Sequence, residues 1–126
     1  MQQVTHIKPM ESVDVDQDRL AALYNQLGEA GAEDVVCRAM EELALRLSNC
    51  DRLYSEAAWV DLRKSVRSLI AIADQIGMSA LSTVAGNVTA CIDTNDNVAL
   101  AATLCRLIRI GEESLTAVWE LQDITI

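Results

Sequence analysis

The stretch Trp59-Val60-Asp61-Leu62-Arg63-Lys64-Ser65-Val66-Arg67-Ser68-Leu69-Ile70-Ala71-Ile72-Ala73-Asp74-Gln75-Ile76-Gly77 decides the fold. Trp59, Leu62, Val66, Leu69, Ala73 and Ile76 recur at spacings 3, 4, 3, 4, 3, the mark of a helix that buries one stripe. Ser55, with Glu56 behind it, is placed to cap the start, and Gly77 can take the left-handed conformation that ends a helix. The expected helix therefore runs from near Ser55 to Ile76.

Working outward, four further helical stretches are expected. One spans about Asp16 to Leu27, with Leu20, Leu23, Tyr24 and Leu27 on one face and Gly28 and Gly31 at its exit. Its acidic lead-in, Asp14, Asp16 and Asp18, suits the positive end of a helix dipole. A second spans about Ala32 to Leu53 and buries Val36, Met40, Leu43 and Leu47. Downstream, Ser79 to about Ile92 puts Leu81, Val84 or Ala85, Val88 and Cys91 on one side, and the polar run Asp93 to Asn97 marks a turn. The last, about Val98 to Leu121, offers Ala101, Cys105, Ile108, Leu115 and Val118 or Trp119, with Gly111 at the slot for a close approach or a bend. Residues 1–12, which include Pro9, show no periodicity and read as a tail ahead of one domain over 13–126.

Helices of this length joined by short connections fold back on their neighbours. The expected architecture is all-α: an antiparallel up-and-down four-helix bundle with an additional N-terminal helix as a cover. With 126 residues there is one core to build, and with 51% apolar residues but no Phe it must be aliphatic. One Pro and five Gly supply too little turn chemistry for a many-stranded fold.

A net charge of −9 opposes binding to nucleic acid or to anionic lipid. Met1 to Glu11 lacks the apolar core of a secretory signal, and no apolar run approaches the roughly 18 residues of a membrane span, so a cytoplasmic chain is expected. Cys37, Cys50, Cys91 and Cys105 have no metal-ligand spacing and read as reduced core thiols. Asp14, Asp16 and Asp18 open like a calcium loop, but Arg19 stands where that loop needs glycine and Asn25 where it needs glutamate. Neither a metal nor a cofactor is expected, and no nucleophile–base set or phosphate loop points to an enzyme.

The segment Val66 to Leu81 resembles the signature of the histidine-containing phosphotransfer (HPt) family: a small residue, the phosphorylated histidine, any residue, Leu, Lys, Gly, then Leu-Gly and a helix opening with Leu. Leu69, Ala73, Ile76, Gly77 and Leu81 hold the structural positions of that pattern. Trp59-Val60-Asp61-Leu62-Arg63 is similar to its lead-in, Asp96 to Leu107 to its last hairpin, and the likeness spans roughly residues 16–120. The departures fall on the chemistry. Arg67 stands where the family has its histidine, Ile70 where it has lysine and Ala71 where it has glycine. A guanidinium stays protonated and has no lone pair to attack a phosphoryl group, so Arg67 cannot carry phosphate. The single histidine, His6, lies in the tail.

What the resemblance implies is a docking surface without the chemistry. Arg63, Arg67, Ile70 and Asp74 form a stripe at spacings 4, 3, 4, and Lys64 and Ala71 adjoin it. That stripe is expected to bind a response-regulator receiver domain, whose phosphorylation pocket is acidic, or a histidine kinase. Two plainer readings stand beside it. The cations can be a solvated face paired with Asp61 or Asp74, and Ile70 can flank the core. A structural bundle in which Ile70 joins two copies as a homodimer is the alternative function.

Overall fold

The computed structural model describes residues 15–124, with side chains through 121. The expected tail over 1–12, with His6 and Pro9, lies outside the described residues, as does Asp14. Four helices follow one another: α1 (Gln17–Ser55), α2 (Trp59–Gln75), α3 (Ser79–Asp93) and α4 (Asn97–Ile124). Each packs on the next, and α4 closes on α1, so the helices form a ring around one aliphatic core.

Three connections of three residues each reverse the chain, and all use one device. After α1, the Ala58 amide donates to the Leu53 carbonyl and the Ala57 amide to Tyr54. After α2, Met78 donates to Ala73 and Gly77 to Asp74. After α3, Asp96 donates to Cys91 and Asn95 to Ile92. This nested pair of bonds satisfies the carbonyls left open at a helix end and requires a left-handed residue at the fifth position. Ala57, Gly77 and Asn95 supply it, with φ of 55°, 79° and 56°.

The first two expected helices are continuous as α1 except at Gly28, whose φ of 77° and ψ of 168° belong to a region open to glycine alone. The segment before that break is a cover. Asp16 caps it by accepting from the Arg19 amide, and the Asp16 amide donates to the Gly77 carbonyl at 2.8 Å. A Cβ on Gly77 would stand 2.7 Å from the Asp16 carbonyl oxygen, so this glycine also makes room for the docked segment.

The α2 stripe is buried as its spacing requires: Leu62, Val66, Leu69, Ala73 and Ile76 are all 0% exposed. Trp59, expected in the same seam, lies at its edge, 39% exposed, with its ring tilted against Tyr54 at 5.8 Å. Ser55 is not the cap of α2. It is the last residue of α1, where its hydroxyl donates to the Asp51 carbonyl, because the left-handed turn at Ala57 delays the next helix to Trp59.

The seam of α4 also differs from expectation. Leu100, Leu104, Leu107, Ile110, Ser114 and Val118 are buried, whereas Cys105 and Trp119 are exposed and Ala101, Ile108 and Leu115 are half-buried. Gly111 sets this phase, since a Cβ there would lie 2.5 Å from Leu47 Cδ1, and the close approach turns that side of α4 toward α1. All four thiols are free, but only Cys50 is a core thiol, pushed up in pKa chiefly by its burial; Cys37 and Cys105 face outward and Cys91 is half-buried. No described helix is long and apolar enough to cross a membrane.

Candidate functional site

Burial of Val66 and Leu69 fixes the rotation of α2 and so fixes what it shows outside. Lys64, Arg67, Ala71 and Asp74 are exposed, and Arg63 and Ile70 are half-buried. Ile70 packs against the core as a flank of the buried stripe, so its apolar surface is only partly on offer.

Arg63 is not a loose cation. Its Nε donates to Asp93 Oδ1 at 2.7 Å and its second nitrogen to Asp93 Oδ2 at 3.0 Å, a two-point clamp from α2 to the last residue of α3. The Arg63 hydrogen bonds hold the Asp93 carboxyl below the usual aspartate range, partial burial opposes them, and the charges of Arg63 and Arg67 add to the lowering. The same bonds raise the Arg63 pKa further. Asp61 and Asp74, the partners expected from helical spacing, make no ion pair among the described residues.

The clamp has two effects on the surface. It fixes the guanidinium of Arg63 in one orientation, and it sets one carboxylate beside Arg63 and Arg67, leaving Lys64 and Arg67 as the outward positive charge. Beside them a groove of about 280 Å³ is lined by Trp59, Val60, Arg63, Lys64, Ile92 and Asn95, with Val60 70% exposed. Sequence spacing along one helix could not supply Asp93, Ile92 or Asn95, which arrive from across the bundle. The only hint was the carboxylate at the start of the polar run that ends α3.

Chemically, the face can bind and orient an anionic surface. It has no side chain able to accept a phosphoryl group at position 67, and no group of His, Cys, Asp and Glu among the described residues could hold a metal ion. Asp16 caps α1, in keeping with its reading as a helix-start acid. No family model, no curated protein and no solved structure matches the chain.

Proposed function

We propose that this chain is a non-catalytic relative of the phosphotransfer domains it resembles, which binds a response-regulator receiver domain or a histidine kinase in two-component phosphorelay signalling and carries no phosphate itself. The observation that supports this reading most is the exposed Arg67, midway along α2, at the position where the resemblance puts a reactive imidazole. A permanent cation there complements the acidic phosphorylation pocket of a receiver. Lys64 extends the positive surface, Ala71 keeps the approach low, and half-buried Ile70 adds apolar contact.

The test is a titration against receiver domains encoded in the same genome. Binding that weakens with added salt and is lost in Arg67→Glu is the expected result; indifference to both would remove the proposal. The rival reading, a homodimer joined through Ile70, is disfavoured by the packing of that side chain against the core. Light scattering separates the two, because Ile70→Lys converts a dimer to a monomer only if Ile70 sits in a self-interface.

A further inference from the structure

The side of the bundle opposite the α2–α3 face is built differently. At Gly111 the helices α1 and α4 touch, with the Leu47 side chain lying where a Cβ would be. Further along, they part and leave an open groove of about 400 Å³ lined by Met40, Glu41, Ala44, Leu115, Thr116 and Trp119. Trp119 is 62% exposed, and so is Leu45 next to Ala44. A large indole held in water beside Leu115, Met40 and Ala44 is the kind of contiguous apolar surface that marks a contact site.

The charges around it select the occupant. Glu41 lies in the groove wall, Glu112 sits one turn before Thr116 on α4, and Glu120 follows Trp119; none of the three is in an ion pair among the described residues. The nearest cations of α1 are engaged, Arg38 with Asp34 and Arg46 with Glu42. We propose that this groove docks an amphipathic helix of a partner protein, with apolar residues along one face and Lys or Arg at its margins.

A second copy of the chain fits poorly, because a two-fold pairing would bring the same glutamates face to face in a molecule of net charge −9. The chain's own residues 1–14 fit poorly as well, since Lys8 is outweighed by Glu11 and Asp14. The proposal concerns a different face and a different partner from the reading above, and it stands or falls separately.

The experiment titrates an 18-residue peptide of Leu and Lys with helical amphipathic spacing, and its Leu/Glu counterpart, into a Trp59→Phe protein, so that Trp119 alone reports. The Leu/Lys peptide is expected to shift the emission to the blue and to bind at least about tenfold more tightly than Leu/Glu. Ala44→Lys, at an exposed position, should weaken it by about tenfold or more, whereas Asp61→Lys, at an exposed carboxylate on α2, should change Kd by less than about twofold. Circular dichroism confirms that each variant is folded. Equal affinity for both peptides, or equal loss in both variants, would overturn the proposal. So would a dimer in light scattering that Ala44→Lys dissolves, since a second copy would then be the occupant.

Discussion

Position 67 carries the chemistry at the residue scale: an arginine that faces water can pair with anions but lacks the free lone pair of an imidazole. Its neighbour Asp93 tempers the same surface and gives a test that the resemblance alone would not. Replacing Asp93 with Asn removes one negative charge and releases Arg63 from its clamp. If the face binds an acidic pocket, Asp93→Asn should tighten that binding by about two- to fivefold at low salt. The Asp93 carboxyl is also lowered in the folded state, chiefly by the Arg63 hydrogen bonds. Its contribution to stability is therefore complete above the ordinary aspartate value of about 3.9 and is lost as pH falls through the lowered folded value. A carboxyl titration followed by NMR should place Asp93 below the ordinary aspartate value. Elsewhere, Ser114 is 0% exposed and its Oγ has no hydrogen-bond partner among the described residues. A buried, unsatisfied hydroxyl costs free energy, so Ser114→Ala should raise stability by about 1 kcal/mol in a denaturant melt. Neither the clamp nor the buried hydroxyl was legible in the sequence, because Asp93 and Arg63 are 30 positions apart and Ser114 interrupts the apolar pattern that would have marked its burial.

Individual helices differed in how plainly their sequences could be read. The α2 stripe was legible because its apolar residues are few and evenly spaced, and charged residues between them leave one possible phase. On α4 the apolar residues cover much of the circumference, so spacing alone does not say which side turns inward. Contact of Gly111 with Leu47 decides it, and that contact joins two helices. The inter-helix turns behaved likewise: Gly77 announced a left-handed residue and the run from Asp93 to Asn97 announced a turn, but Ala57 announced nothing. An alanine with φ of 55° is strained by about 1–2 kcal/mol relative to its usual backbone. Ala57→Gly should therefore stabilise the protein by about 1 kcal/mol, read as a rise in the thermal midpoint. The same exchange in reverse, Gly77→Ala, should cost at least that much, because its Cβ would also meet the Asp16 carbonyl oxygen. Loss of amide-exchange protection at Asp16 would show that the covering segment has been displaced.

For the whole molecule, the ring of four helices presents two unlike sides: a face on α2 beside α3 that carries the exposed cations Lys64 and Arg67 next to the clamped Arg63, and an apolar groove with acidic margins between α1 and α4. The all-helical class was legible from composition and period together, whereas the division of the surface into two faces emerges only from the packing. The proposed signalling role rests on the first face. Its most direct test is an amide NMR map of the isotope-labelled protein on addition of a receiver domain from the same organism. Perturbations centred on Lys64, Arg67, Ala71 and Asp74, absent in Arg67→Glu, are the predicted result. A map centred on Met40, Leu115 and Trp119, or no change at saturating receiver with any candidate, would contradict it.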